Sequence, residues 1–261
     1  MNMQMRHSIE KNPKNKTHLI PGLHSVKQAL VSDRIKVREI WISEGRDPAR
    51  TREILEIAGR KRIPVINKKT DLINDALPNT AHQGIIAVAG EFTYFEIEDL
   101  LDLSRDKQGR GLLIAADHIT DEGNLGALIR TAVFFGAHGI ILPKDRAAQV
   151  THNVMKRSAG TYLNIPIARV VNLSRALDIL SEAGFWIIGS AGEGTESIYR
   201  FDWQRDIVLV MGSEDKGMNQ MIRNKCHQIV GIPSDGNAES LNVSVACGVI
   251  LSEITRQRTA G

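Results

Sequence analysis

The chain has 261 residues, 42% of them hydrophobic and 24% charged, a composition typical of a soluble globular protein with room for two domains. Its 33 Lys and Arg residues and 30 Asp and Glu residues give a formal net charge of +3, which is compatible with an RNA partner. No apolar stretch approaches the length of a bilayer span, and residues 1–16 lack the apolar core of a secretory signal.

Two cysteines, Cys226 and Cys247, fall in different predicted helices. The sequence contains no CxxC spacing and no His/Cys cluster, so it indicates neither a disulfide framework nor a zinc site. We expect both thiols to be reduced and buried in a cytoplasmic protein that binds no metal and no membrane.

The first third of the chain predicts a basic tail followed by a small α/β domain. Residues 1–16 are polar and carry three lysines, which is typical of a disordered tail. Residues 17–91 alternate strand and helix patterns. The predicted helices are 25–31, 47–62 and 70–77, and the predicted strands are 37–43, 63–66 and 84–89.

Two basic clusters, 60–62 and 68–69, flank one predicted strand of this domain. A charged run is most often a solvated face, but this placement would let both clusters project from one edge of the sheet. RNA contact and simple solvation therefore both remain open as interpretations of these clusters.

Residues 92–110 predict a linker with one helix and a glycine-bounded turn, and the strand and helix alternation restarts at residue 111. Strands that alternate with helices predict a parallel sheet covered on both faces, with ligands bound at the carboxyl ends of the strands. The predicted strands are 111–117, 139–143, 165–171, 185–189, 207–211 and 228–233, and the predicted helices are 124–136, 149–159, 173–184, 219–227 and 241–256.

The loop after the first strand of this second domain leads into a helix that begins near Asn124, a good N-cap residue by type. Arg130 lies about 140° around that helix from Leu125, outside the apolar stripe. Arg130 is either an exposed arginine with a distant salt bridge or a guanidinium aimed at a phosphate or a polarised hydroxyl.

Two further loops combine glycine or small residues with polar groups. Gly212 and Glu214 directly follow the apolar strand 207–211, and glycine lets the backbone approach a ligand closely. Ser240 and Asn242 stand where the last helix should begin, with its unpaired N–H groups and partial positive charge. The plain alternative for this third run is a capped helix with small residues for close contact.

Several enzyme classes lack support in the sequence. The glycine-containing run 189–194 does not have GxGxxG spacing, which disfavours a dinucleotide dehydrogenase. The chain has no GxxxxGK[ST] motif and no GxSxG nucleophile elbow. The residues by themselves thus predict an α/β enzyme or binding protein with a polar site near the C-terminus.

Taken in order, the three loops resemble the three motifs of the SpoU/TrmH family of RNA 2′-O-ribose methyltransferases, part of the SPOUT superfamily. The matching positions are Asn124, Gly126 and Arg130 in the first motif, Gly212, Glu214 and Gly217 in the second, and Ile232-Pro233 with 240–246 in the third. Segments 22–30 and 82–87 resemble the ribosomal-protein-like RNA-binding domain of the branch that modifies large-subunit ribosomal RNA.

The resemblance implies a fold and a reaction. The expected fold is α/β, with a small RNA-binding domain (17–91), a linker (92–110) and a methyltransferase domain (111–261) whose last strand and helix form a trefoil knot. The expected enzyme is a homodimer that uses S-adenosylmethionine to methylate the ribose 2′-oxygen of a guanosine in 23S ribosomal RNA.

By the same resemblance, Gly212, Ile232 and Leu241 occupy cofactor-contact positions. The expected catalytic positions are Asn124, Arg130, Glu214, Ser240 and Asn242. Two alternatives stay open: a non-catalytic RNA-binding or assembly factor with the same fold, and the same chemistry on transfer RNA.

Overall fold

The computed structural model describes residues 17–32, 34–78, 80–104, 110–236 and 240–260. The predicted basic tail, 1–16, lies outside the described residues, as do parts of the predicted linker (105–109) and of the third loop (237–239). Among the described helices, none is long and apolar enough to cross a membrane.

The first unit is a four-stranded sheet with helices against it. The strands run in the order β1-β4-β2-β3, where β4 is antiparallel to both neighbours and β3 is parallel to β2. In chain order the elements are β1 (His18–Pro21), α1 (Leu23–Val31), β2 (Val37–Ser43), α2 (Pro48–Lys61), β3 (Val65–Lys68), α3 (Thr70–Ala76) and β4 (Ile85–Ala89).

The structure corrects two details of the sequence prediction here. Strand β1 was not predicted because its four residues are too short to show a pattern. Strand β3 begins at Val65 and not at residue 63, since Arg62 adopts a left-handed conformation and Ile63 N–H donates to the Ala58 carbonyl. The helix C-cap therefore occupies the residues that the pattern assigned to the strand.

The edge strand β3 carries part of the predicted basic surface. Its residues are largely exposed, and Lys68 Nζ lies 3.5 Å above the ring of Trp41. Charged residues on an edge strand discourage pairing with a second sheet. Part of this charge thus has a structural role, independent of any ligand.

The second unit is a seven-stranded parallel sheet in the order β7-β6-β5-β10-β8-β11-β9. Its strands are β5 (Leu112–Ala116), β6 (Gly139–Pro143), β7 (Ile167–Val170), β8 (Trp186–Ser190), β9 (Glu196–Ser197), β10 (Ile207–Met211) and β11 (Gln228–Gly231). Its helices are α5 (Glu122–Phe134), α6 (His152–Arg157), α7 (Leu173–Glu182), α8 (Gln220–Arg223) and α9 (Val243–Ala260). Strands β5 and β10 lie near the centre and are fully buried, as their continuous apolar sequence predicts.

Helices cover both faces of this sheet. Apolar residues of α5 and α9 share one buried cluster with β5 and β10, and α7 belongs to the cluster on the opposite face. The predicted α/β fold with a parallel sheet is thereby confirmed.

Helix α5 begins two residues earlier than predicted. Asp121 is its N-cap, because the Asp121 carboxylate accepts a hydrogen bond from Asn124 N–H at 2.7 Å. Asn124 therefore stands in the first turn, where its side chain is free to bond elsewhere. The prediction of Asn124 as the N-cap is wrong.

Helices α6 and α8 are shorter than predicted. Thr151 caps α6, and Asn219 caps α8, which ends at Arg223. Cys226 consequently follows a helix and does not lie within one. Both cysteines are free. Cys247 is buried as predicted, whereas Cys226 is only half-buried, and burial raises the pKa of each thiol to about 12.

The segment between the two units belongs to the second core. Its helix α4 (Ile97–Ser104) buries Leu100 against β5 and β6, and Phe95 forms a parallel bridge with Ala168 at the edge of β7. The units also touch directly, since His152 Nδ1 lies 2.8 Å from the Leu19 carbonyl oxygen.

A buried arginine joins the C-terminal helix to the start of the second sheet. The Arg258 guanidinium donates to the carbonyls of Trp203 (3.1 Å), Arg110 (2.7 Å) and Arg205 (2.7 Å). Burial, and then the charge of Arg110, lowers the Arg258 pKa to about 10, so the group remains protonated at neutral pH. Arg258 therefore holds two chain segments, 203–205 and the residues around Arg110, against α9 through their backbone.

We expect Arg258→Ala to lower the free energy of unfolding by roughly 3 kcal/mol, because it leaves several part-buried carbonyls without a donor. Urea unfolding followed by circular dichroism measures the change. Arg175→Ala, on the exposed face of α7, is the matched control, with an expected change below about 0.5 kcal/mol. Equal effects of the two substitutions would contradict the role of Arg258.

Candidate active site

A cavity of about 520 Å³ opens at the carboxyl ends of β8, β10 and β11. Four segments line it: 190–193 after β8, 211–218 after β10, 232–234 after β11, and residues at the start of α9. The cavity stands where open parallel sheets bind their ligands. Of the predicted site residues, it contains Gly212, Glu214, Ile232, Ser240 and Leu241.

Two glycines let the backbone segments around the cavity come into direct contact. A Cβ atom at Gly212 would overlap the backbone of Gly217, and one at Gly194 would overlap the backbone of Gly231. Neither position has room for any side chain. At Gly212 the cavity therefore borders on main chain, whose N–H and C=O groups can bind a ligand directly.

Glu214 is the centre of a hydrogen-bond network at the cavity. Its Oε2 accepts from Asn124 Nδ2 at 2.9 Å, and its Oε1 accepts from Asn242 Nδ2 and from Val243 N–H. Asn242 Nδ2 also donates to Asn124 Oδ1 at 2.8 Å. Three residues from three separate predicted loops thus form one closed cluster.

Asn242 has a second role as the cap of α9. Its Oδ1 accepts from Ser244 N–H at 3.0 Å and from Ser244 Oγ at 2.6 Å. The Glu214 carboxylate lies at the same helix end, where the partial positive charge of the helix favours an anion. The plain interpretation of the third loop, a capped helix, therefore holds for Asn242, and Ser240 and Leu241 of the same loop line the cavity.

Arg130 does not join this cluster within one chain. It is exposed, and it lies about 120° around α5 from Asn124 at roughly 100° per residue. Among the described residues its guanidinium has no hydrogen-bond or ion-pair partner. Glu214 and Asn124 bond to each other and to α9, so in this chain they do not orient Arg130.

The sequence prediction missed the cavity segment 190–193. An ion pair crosses this side of the cavity, with Arg223 Nη1 2.5 Å from Glu193 Oε1, and the hydrogen bond from Arg223 lowers the Glu193 pKa. The available signal was position, since this segment follows a predicted strand just as the other loops do. The segment was not predicted as part of the site because it lacks the GxGxxG spacing.

A buried carboxylate stabilises the end of the loop that follows β10. Asp117 is 1% exposed at the end of β5, and its Oδ2 accepts from Asn219 N–H at 2.6 Å. Its Oδ1 lies 2.5 Å from Nδ1 of His118. Asp117 thus ties the end of the glycine-containing loop to the neighbouring strand.

Within the described part of the chain, no three His, Cys, Asp or Glu side chains group so as to hold a metal ion.

The fold and the site define an α/β protein whose ligand cavity is built by loops at the carboxyl ends of parallel strands. Residues 111–252, more than half of the chain, match the SpoU rRNA Methylase family, and residues 19–95 match the RNA 2′-O ribose methyltransferase substrate binding family. The chain therefore belongs to the SpoU rRNA methylase family.

Curated relatives resemble the chain along most of its length. It is 38% identical to the 23S rRNA (guanosine-2′-O-)-methyltransferase RlmB of Pseudomonas aeruginosa, over 91% of this chain and 96% of that protein. It is 41% identical to an uncharacterised tRNA/rRNA methyltransferase of Synechocystis sp., over 92% of this chain and 62% of that longer protein.

A solved structure shares the same architecture. The SpoU methyltransferase AviRb of Streptomyces viridochromogenes, crystallised with the cofactor AdoMet, superposes with a TM-score of 0.81. The two proteins are 26% identical, and the match covers 94% of this chain and 91% of AviRb.

We expect Asn242→Ala to lower the free energy of unfolding by about 1 kcal/mol, the usual cost of losing a helix N-cap. Asn242→Ser should recover most of that loss, because serine also caps helices well, although it cannot bridge Asn124 and Glu214. Denaturant unfolding of the two variants measures the difference. The cap assignment is wrong if serine is no more stable than alanine.

Proposed function

We propose that this protein transfers a methyl group from S-adenosylmethionine to the ribose 2′-oxygen of a guanosine in 23S ribosomal RNA. The observation that carries the proposal is the Asn124–Glu214–Asn242 cluster at the edge of a cavity of cofactor size. The RlmB proteins among the relatives, which are named for this substrate and reaction, support the choice of ribosomal RNA and of guanosine.

The cavity suits S-adenosylmethionine in size and in lining. Its volume of about 520 Å³ falls within the range of sites for small organic ligands. Gly212, Ile232 and Leu241 line it and are our candidates for cofactor contacts, together with the segment 190–193. When bound there, the cofactor supplies an electrophilic methyl group on a sulfonium.

The protein must position the hydroxyl and stabilise charge as its proton leaves. An arginine guanidinium is protonated in ordinary protein environments, so we assign Arg130 to electrostatic positioning of the target ribose and its phosphate. Glu214, Asn124 and Asn242 hold the start of α9 in place. Ser240, which lines the cavity beside them, would hold the ribose or the cofactor.

Arg130 indicates that the site is completed by a second copy of the chain. Within one chain it faces away from the Glu214 cluster, and its neighbour on the same face of α5, Phe134, is 80% exposed. Val245 on α9 is 51% exposed as well. An apolar face around an unpaired arginine suits a homodimer in which each Arg130 serves the partner's cavity.

The finer features of the fold are part of the proposal. We assign 17–91 to a ribosomal-protein-like RNA-binding domain, 92–110 to the linker and 111–261 to the methyltransferase domain. The close crossing of Gly194 and Gly231, with β11 between β8 and β9, supports a knotted C-terminus. The free cysteines suit work in the cytoplasm.

Two other functions are less well supported. A non-catalytic assembly factor would have no need of a complete polar cluster beside a cofactor-sized cavity. A transfer RNA substrate is disfavoured by the N-terminal unit. This unit matches a substrate-binding family, and the chain as a whole matches the RlmB proteins. Methylation mapping of RNA from cells that lack the protein separates these cases: we expect one 2′-O-methyl group to disappear from 23S rRNA and none from transfer RNA.

We expect Arg130→Ala to slow methyl transfer by about 100-fold or more, the usual effect of removing one group that stabilises developing charge. Binding of S-adenosylmethionine, measured by calorimetry, should be unchanged, since Arg130 is assigned to the target ribose and its phosphate and not to the cofactor. Transfer at a near wild-type rate would contradict the assignment of Arg130.

A mixing experiment tests the shared site. Arg130→Ala and Glu214→Ala chains should each be inactive alone, but co-refolded mixtures should regain part of the wild-type activity. The reason is that a mixed dimer contains one cavity with intact Glu214 facing one intact Arg130. Absence of any recovery, with mixed dimers shown to form, would place both residues in the site of one chain.

A further inference from the structure

Helix α6 is the element that connects the two units beside the candidate active site. In its first turn, His152 contacts the Leu19 carbonyl of the first unit. In its last turn, Lys156 and Arg157 are both exposed. Helix α6 also packs against α5, the helix that carries Asn124 and Arg130.

Gly126 brings the last turn of α6 against α5. A Cβ atom at Gly126 would stand 2.5 Å from Arg157 Cβ, so only glycine allows the two helices to come this close. Arg130 lies four residues beyond Gly126 and thus one turn farther along the same face of α5. The side chains of Arg157 and Arg130 therefore emerge on neighbouring positions of one surface.

The cations of this surface are unpaired. Among the described residues, neither Lys156 nor Arg157 has an ion-pair or hydrogen-bond partner for its charged group. Some cations elsewhere in the second unit are neutralised by a neighbour, as in Lys225 with Asp178 and Arg205 with Asp202. Unpaired exposed cations are available to bind phosphate groups.

We propose that Lys156 and Arg157 form a phosphate-binding surface that holds the RNA backbone next to the target nucleotide. The inference rests on the proposed function and extends it from the site of methyl transfer to the path of the substrate. Lys156 supplies a compact charge on a flexible side chain. Arg157 supplies a planar guanidinium on a side chain whose Cβ packs against Gly126. Both residues position the RNA and act on no reacting atom.

The test is a double substitution, Lys156→Ala with Arg157→Ala. Its ligand is an unmethylated transcript of the 23S rRNA segment in which the methyl group maps. We expect roughly tenfold weaker binding to this RNA, the usual effect of losing charge-assisted hydrogen bonds. The slope of log affinity against log salt should become shallower by about one per residue removed. The loss should fall on KM for RNA more than on kcat, and affinity for S-adenosylmethionine should be unchanged.

The matched control is Arg205→Ala with Lys225→Ala, which removes the same charge from paired residues before β10 and β11, at the amino ends of the strands. It should leave the salt slope as in the wild type. The charge-preserving pair Lys156→Arg with Arg157→Lys should restore most of the RNA affinity. Equal loss in the control and the test variant would contradict the proposal, because it would show a general effect of net charge.

The structural alternative is that Lys156 and Arg157 only stabilise the C-terminal end of α6. In that case the double variant would have a lower melting temperature with wild-type RNA affinity and salt slope, which would overturn the proposal. A wild-type protein that binds the transcript without methylating it would contradict the proposed function alone. A methylating wild type with an unaffected double variant would contradict this inference alone.

Discussion

The position of one helix end, the N-terminus of α9, controls the whole candidate site. Its first turn carries N–H groups that need partners and a partial positive charge that favours an anion. Asn242 satisfies the N–H groups, and the Glu214 carboxylate accepts from both Asn242 and Val243. The same carboxylate also accepts a hydrogen bond from Asn124 on α5. The contacts that stabilise the helix end are therefore also the contacts that bring the candidate site residues together.

That arrangement is feasible because the main chain closes tightly around it. Gly212 and Gly194 permit backbone to rest on backbone beside the cavity. Peptide N–H and C=O groups at Gly212 can bind a ligand in fixed directions. Charged side chains line the cavity as well, among them Glu214, Lys216 and the ion pair of Glu193 with Arg223.

Under the proposed function, the unpaired arginines mark the surface on which the RNA would lie. Arg130 and Arg157 share a surface formed by α5 and α6, and α6 also contacts the first unit through His152. The two units are joined directly through α6 and β1, and the linker is itself held in place because α4 and Phe95 pack on the second sheet. The position of the first unit relative to the second is therefore fixed by contacts and not by the linker alone.

The sequence alone determined the alternation of strands and helices, the parallel sheet, and the three loops that carry the site. These follow from local periodicity, from turn residues and from the motif spacing shared with the SpoU family. It placed element ends less well: Asn124 resembles an N-cap by type, but Asp121 takes that position because its carboxylate reaches the Asn124 N–H.

Only the tertiary structure decided which predicted residues meet. Asn124 and Asn242 are 118 residues apart and bond directly, whereas Arg130, six residues after Asn124, is turned away from both by the pitch of α5. The segment 190–193 reaches the cavity because β8 lies between β10 and β11 in the sheet. Local sequence patterns carry no information on which strands become neighbours, and that order is what brings the three loops to one edge.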